Sequence, residues 1–305
     1  LGFLIPMVVI YIREKANTTV RGRKDLKKVN VPFLGEIPFS ISRQNRPTLE
    51  QRIKFWKKPK EVRMIVVKAG KRDIVNEAFR VLRTNFEFTI GTHPEQNVIV
   101  FTSFNPGSGK SHIAANMAMS LAIKKKKVLL IDGDLRHGST SRLIHSPGEG
   151  LSDYLNGRIA DIHDILYKGE ENGLVKNFDV IPIGTIPPNP TELLFTPLLE
   201  QMIKTMREEY DYVFIDCPPI EVVADTPIYE QFADRTIFVV RAGLMERSML
   251  PEVNALYKAK KFKNMTLILN GTKAHGGRYG SHYGYGYGYG YGYNYNKEKN
   301  GGAKS

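Results

Sequence analysis

The run Asn105-Pro106-Gly107-Ser108-Gly109-Lys110-Ser111 lies between an apolar stretch at 98–102 and a helix-patterned stretch at 111–123. Glycines at such a place let backbone N–H groups approach phosphate oxygens, and a helix N-terminus turns its positive end toward them. Lys110 would reach the β- and γ-phosphates, and Ser111 would offer its hydroxyl to Mg²⁺. The full G-x-x-x-x-G-K-[ST] pattern is not met, because Phe104 stands where the first glycine belongs. The strand–loop–helix setting still predicts a nucleotide site formed by Gly107, Ser108, Gly109, Lys110 and Ser111, with His112 directly behind it.

Carboxylates follow at two further strand ends. The apolar run 128–131 leads into Asp132-Gly133-Asp134-Leu135-Arg136, and the run 213–215 leads into Asp216-Cys217-Pro218-Pro219. In an open α/β sheet, ligands bind beyond the carboxyl ends of the strands. Three strands would therefore bring Lys110 and Ser111, Asp132 and Asp134, and Asp216 to one edge. Carboxylates beside a phosphate loop hold Mg²⁺ directly or through water, and can orient or deprotonate a nucleophile. A lone aspartate at a strand end is usually a helix cap; three around one lysine point to chemistry.

The elements that must carry these residues are legible as alternating patterns. Strands are predicted at 98–102, 128–131, 178–183, 212–215, 236–240 and 267–269. Helices are predicted at 73–88, 111–123 and 192–209, the last opened by the Pro190-Thr191 start signal. Continuous apolar strands separated by helices imply an α/β fold of the P-loop NTPase type, a mostly parallel sheet with helices on both faces. In the first helix, Glu77, Arg80 and Arg83 recur every three residues and share roughly one face.

The 305 residues carry a formal net charge of +13, but unevenly. Residues 1–70 hold 16 Lys+Arg against 5 Asp+Glu, 71–270 hold 23 against 25, and 271–305 hold 5 against 1. The body is thus nearly neutral, which weighs against a nucleic-acid-binding core. The single cysteine, Cys217, excludes an intramolecular disulfide framework and a multi-cysteine metal site. Residues 1–12 are uncharged and almost all apolar, shorter than the roughly 20 residues of a spanning helix. They are read as the C-terminal end of a transmembrane helix. Arg13, Lys15, Arg21, Arg23, Lys24, Lys27 and Lys28 follow as the basic cluster of its cytoplasmic side. Residues 13–70 are expected to be a basic juxtamembrane linker, with a second patch at Lys54, Lys57, Lys58 and Lys60 around Trp56. The body at 71–272 is the globular domain. Residues 273–305 form a tail that alternates Tyr and Gly from Tyr283 to Gly292. Ordering alternate glycines is entropically expensive, so the tail is expected to be disordered.

Taken together, SFNPGSGKS, VLLIDGDLR and VFIDCPP resemble the Walker A, Walker A′ and Walker B motifs of bacterial tyrosine kinases, the cytoplasmic kinase domains of polysaccharide co-polymerases. The resemblance extends over about residues 15–305. It includes RGRKDL, VPFLGEIP, EAFRVLRTN, PPNPTELL and the tyrosine-rich end. It implies an ATP- and Mg²⁺-dependent protein tyrosine autokinase. Asp132 would orient and deprotonate the acceptor hydroxyl with Lys110 and Asp134 beside it, and Ser111, Asp132, Asp134 and Asp216 would complete the metal shell. Asn270, at the end of the last strand, is expected to contact adenine. The spacing of Glu77, Arg80 and Arg83 matches the family's oligomerisation motif, implying a ring in which one subunit's tail enters its neighbour's site. Phosphoacceptors would be Tyr279, Tyr283, Tyr285, Tyr287, Tyr289, Tyr291, Tyr293 and Tyr295. Further implications are an inner (plasma) membrane location with the kinase on the cytoplasmic face, polysaccharide polymerisation and export machinery as partner, a counteracting tyrosine phosphatase, and no nucleic acid.

Two other functions compete. A ParA/MinD-like positioning ATPase would carry a signature lysine early in the phosphate loop, where this chain has Asn105. A non-catalytic, nucleotide-gated regulator of polysaccharide assembly would not need the intact Lys110, Ser111 and aspartate set.

Overall fold

A computed structural model describes residues 6–7, 17–39, 64–91, 93, 95–221 and 225–273. The chain divides into two units, Leu1–Lys273 and Ala274–Ser305, and the second lies outside the described residues. So do most of the apolar segment 1–12, the basic patch around Trp56, and all eight predicted acceptor tyrosines. Among the described residues no helix is long and apolar enough to cross a membrane.

In chain order, the strands are β1 (Phe33–Pro38), β2 (Val98–Ser103), β3 (Val128–Asp132), β4 (Phe178–Ile181), β5 (Tyr212–Asp216), β6 (Arg235–Arg241) and β7 (Thr266–Thr272). The helices between them are α1 (Ile74–Ile90), α2 (Lys110–Ala122), α3 (Leu151–Leu155), α4 (Pro190–Leu193), α5 (Pro197–Glu209), α6 (Thr226–Glu230) and α7 (Leu250–Lys258). The sheet runs β1-β7-β6-β2-β5-β3-β4, and every pairing is parallel. Strands β2, β3 and β5 are buried along their whole length, which explains why they read as unbroken apolar runs.

Successive residues of each strand serve opposite faces. Ile99, Phe101, Leu130 and Phe214 pack with α1 and α2. Val98, Val100, Ile131 and Ile215 pack with α3 and α5 on the other face. A third cluster under β6 and β7 takes Leu250 and Val253 of α7 together with Val20 and Leu26 from the N-terminal segment.

Two expectations are corrected. The helix predicted at 192–209 is broken into α4 and α5, because Pro197 has no N–H to continue the first helix and instead starts the second. Residues 33–38, expected within a linker, form edge strand β1, hydrogen-bonded in parallel to β7. The two prolines of this segment sit where a strand tolerates them: Pro32 precedes it and Pro38 ends it. Gly35 lets α1 come close, since a Cβ there would meet Leu82 Cδ1 at 2.9 Å.

The segment ahead of α1 is also ordered by polar contacts. Asn116, fully buried in α2, accepts the Val66 and Val67 N–H groups at 2.8 and 3.0 Å and donates to the Met64 carbonyl at 2.7 Å. Three backbone groups thus depend on one amide. Asn116→Ala is expected to cost on the order of 2–3 kcal/mol of stability by leaving them unpaired. A urea midpoint unchanged by the substitution would contradict this staple.

Candidate functional site

The phosphate loop lies between β2 and α2, and its geometry follows from glycine. Gly107 and Gly109 have φ of +73° and +86°, a region that other residues rarely enter. Ser108 Oγ donates to the Asn105 carbonyl at 2.8 Å, closing the loop on itself. Asn105 Nδ2 donates to Glu221 Oε2 at 2.8 Å, tying the loop's start to the segment after β5. Phe104, in place of the first glycine of the pattern, is buried in the cluster beneath β6 and β7.

Parallel register brings the acidic motifs to the same edge. Asp132 and Asp216 are paired positions on β3 and β5, and Phe101 of β2 pairs with Asp216. The loops beyond them are hydrogen-bonded together, with Gly133 N–H donating to the Asp216 carbonyl at 2.9 Å. Gly133 is hemmed in, since a Cβ there would lie 3.0 Å from Ile215 Cγ2 and 3.1 Å from the Asp216 carbonyl.

At this edge, Lys110 Nζ lies 3.7 Å from Asp216 Oδ1, and Asp216 is fully buried. Burial works against the lysine's charge. Asp216, then Asp134 and Asp132, outweigh it and hold the ammonium pKa above its ordinary value. For Asp216, burial raises the carboxyl pKa despite the opposing pull of Lys110. Asp132 is pushed up by burial and then by the nearby Asp216 charge, against the hydrogen bonds that favour its ionised form. Those bonds are specific: Ser141 donates both its N–H and its Oγ–H to Asp132 Oδ2, each at 2.7 Å. The other oxygen of Asp132 and both oxygens of Asp216 are buried with no hydrogen bond of ordinary geometry, although Lys110 and Ser111 lie close enough to Asp216 to favour its ionised form. Burial next to Asp216 also raises the Cys217 thiol well above its usual pKa, so it stays protonated.

These orphaned oxygens suit a hard cation such as Mg²⁺, which binds through one or two carboxylates and completes its shell with water and phosphate. Of the predicted set of Ser111, Asp132, Asp134 and Asp216, the oxygens without a hydrogen bond belong to Asp132 and Asp216. Among the described residues no three His, Cys, Asp or Glu side chains converge as a metal cage. Both oxygens of Asp134 instead lie 3.2 Å from His137 Nδ1, and Oδ1 also accepts the Arg136 N–H.

Other predicted residues are placed differently. The ring of His112 stands edge-on to Phe79, with Nδ1 3.3 Å from Asn116 Nδ2, and burial lowers its pKa. Asn270 is buried, and its Nδ2 donates to the Ser108 carbonyl at 2.9 Å. On α1, Arg80 pairs with Glu77 and donates to the Lys71 carbonyl. Arg83 turns inward, donating to Ser120 O and Oγ at 3.0 and 3.1 Å.

A polar cluster was missed by sequence reasoning. Arg136 Nη2 lies 3.0 Å from Asp225 Oδ2 and donates to Thr191 Oγ1 at 2.9 Å, while Thr191 donates to Asp225 at 2.6 Å. It fastens the PPNPTELL segment to the Asp132–Arg136 loop. The signal was present in Arg136 and Thr191, both inside quoted motifs, but Asp225 lies in no motif.

Several known proteins are similar to this chain. A family model described as an AAA domain matches residues 96–243. The chain is similar to the tyrosine-protein kinase CpsD of Streptococcus agalactiae, 34% identical over 208 residues that cover 68% of this chain and 87% of that protein. It is 33% identical to the tyrosine-protein kinase wzc of Salmonella typhimurium over 247 residues, 79% of this chain. There the matched part is 32% of the relative, so this chain spans about a third of the length of such relatives. Among solved structures, the kinase domain of the Escherichia coli tyrosine kinase ETK superimposes with a TM-score of 0.70 at 29% identity, covering 88% of this chain and all of that one. The BceF tyrosine kinase domain gives 0.68 at 30% identity, covering 83% and 99%.

The buried carboxylates give a pH signature. Asp132 takes up its proton at higher pH in the folded than in the unfolded chain. The native state therefore holds more protons between those two pKa values, and stability falls as pH rises through that window. Asp132→Asn can still accept both Ser141 bonds. It is expected to raise the melting temperature of the nucleotide-free protein near neutral pH, with the gain shrinking toward pH 4. A gain of the same size at both ends would contradict the assignment.

Proposed function

The chain belongs to the bacterial tyrosine-protein kinase family, and we propose that it is an ATP-dependent protein tyrosine autokinase whose acceptors are the tyrosines of its own C-terminal tail. The observation that carries this reading is Lys110, buried against Asp216 at 3.7 Å, beside buried carboxylate oxygens that lack hydrogen-bond donors of ordinary geometry. A lysine and buried carboxylates with acceptor capacity left over, at the phosphate loop's own edge, are the parts that phosphoryl transfer needs.

In this reading the N–H groups of 107–111 cradle the phosphates and Lys110 neutralises the oxygens around the transferred phosphorus. Mg²⁺ held through Ser111 and Asp216, when bound, would screen the charge that develops on the β- and γ-phosphate oxygens. Ser141 fixes Asp132 by one oxygen, which leaves the other to accept the acceptor's hydroxyl proton. A raised carboxyl pKa suits that task, and a tyrosine of pKa about 10 needs the help. The Oη–P bond forms as the bond from the γ-phosphorus to the bridging oxygen breaks, the proton passes to Asp132, and ADP leaves. Asp134 adds its negative charge beside Lys110 and Asp216.

The wider setting follows from the family. Tail tyrosines Tyr279, Tyr283, Tyr285, Tyr287, Tyr289, Tyr291, Tyr293 and Tyr295 would be phosphorylated by a neighbouring subunit of a ring. On α1, Glu77 and Arg80 are the accessible members of the expected contact motif. The basic N-terminal region would hold the kinase at the inner membrane, on its cytoplasmic face, beside polysaccharide polymerisation and export machinery, with a phosphatase reversing the modification.

Incubation with Mg-ATP followed by mass-spectrometric mapping is expected to find phosphate on tyrosines within 279–295. Lys110→Met is expected to lower the rate about 10²- to 10³-fold. Phosphate release with no modified tyrosine would overturn the kinase reading in favour of an ATPase.

A further inference from the structure

The phosphate loop is gripped from outside by residues that none of the motifs contains. Arg241 ends β6, and its Nη1 donates to the Gly107 carbonyl at 2.8 Å. Asn270, its register partner on β7, donates to the next carbonyl, that of Ser108, at 2.9 Å. The fit is close: a Cβ on Gly109 would come within 2.3 Å of the Asn270 amide. A trans peptide is planar, so its C=O and the following N–H point in opposite directions. Drawing the Gly107 and Ser108 carbonyls toward β6 and β7 therefore turns the N–H groups of Ser108 and Gly109 the other way. These are the groups a phosphate loop offers its ligand.

Arg241 is itself held by a braced turn. Its carbonyl accepts the N–H groups of Leu244 and Met245, both at 3.2 Å. The outer side of that turn is covered by the N-terminal segment. Val20, fully buried, donates to the Met245 carbonyl and accepts from Gly243 N–H, each at 2.8 Å. Arg247 N–H donates to the Thr18 carbonyl at 2.9 Å, and Arg247 Nε pairs with Asp25 at 3.0 Å.

We infer that Arg241 is a positioning residue through which the N-terminal segment 17–25 sets the geometry of the phosphate loop. It acts on the ligand only through the Gly107 peptide, and its own aim depends on the turn that residues 18–20 hold in place. Movement of the N-terminal segment is thereby felt at the nucleotide site. The inference rests on the nucleotide-binding part of the function proposed above.

The test is the affinity of the full chain for Mg-ADP, measured with a fluorescent ADP analogue, alongside the melting temperature without nucleotide. Arg241→Ala is expected to weaken binding about tenfold, the effect of one charge-assisted hydrogen bond, with little change in melting temperature. Arg241→Lys, which keeps a cationic donor, is expected to recover part of that loss. Arg247→Ala, which removes the ion pair to Asp25 while leaving the backbone bonds of residues 18–20 in place, is expected to weaken binding by a smaller factor. Combined with Arg241→Ala it should add nothing, because both act through the same contact. Parent-like binding by Arg241→Ala, or a double variant weakened by the product of the two single factors, would overturn the inference. Absence of Mg-ADP binding by the parent would overturn the nucleotide reading and this inference together.

Discussion

One buried lysine among buried carboxylates sets the terms for the rest of the structure. Lys110 is 8% exposed, and Asp132 and Asp216 are fully buried in adjacent strands. Burying like charges side by side is costly, and folded proteins offset that cost with a cation, a proton or a ligand. Here the lysine offsets part of it and proton uptake by the aspartates another part. The orphaned oxygens of Asp132 and Asp216 remain as affinity for what the site binds. The same imbalance that costs stability is what makes the site receptive.

Everything else serves to hold those charges in place. The all-parallel sheet delivers the ends of β2, β3 and β5 to one edge, and the Gly133–Asp216 backbone bond locks two of the loops together. The Arg136–Asp225–Thr191 cluster fastens the proline-rich segment alongside. On the opposite side of the phosphate loop, Arg241 and Asn270 anchor its outward carbonyls. The site is thus bracketed by polar contacts within the protein, the usual way a fold keeps a charged constellation rigid.

The sequence made the charge-bearing residues legible because their positions are local: a glycine loop before a helix, and aspartates at the ends of apolar runs. Six of the seven strands could be read for the same reason, since a strand buried on both faces is a continuous apolar run. Strand β1 was hidden by the prolines and the basic surroundings of 13–70, and only pairing with β7 makes it a strand. The break in the long helix was written in Pro197 but masked by the amphipathic pattern that continues across it. What could not be read were contacts between distant segments. Asn270 reaches Ser108 across 162 residues, and Arg241 reaches Gly107 across 134. Side-chain identity does not say that Asn270 would hold the loop's backbone, or that His112 and Arg83 would turn into the α1–α2 contact.

The central claim is that this edge passes a phosphoryl group to tyrosine rather than to water. It is tested most directly by a single turnover with ATP labelled at the γ-phosphate, counting label in phosphotyrosine against label in inorganic phosphate. The account requires most of the label on tyrosine. Label found almost entirely as inorganic phosphate would contradict it.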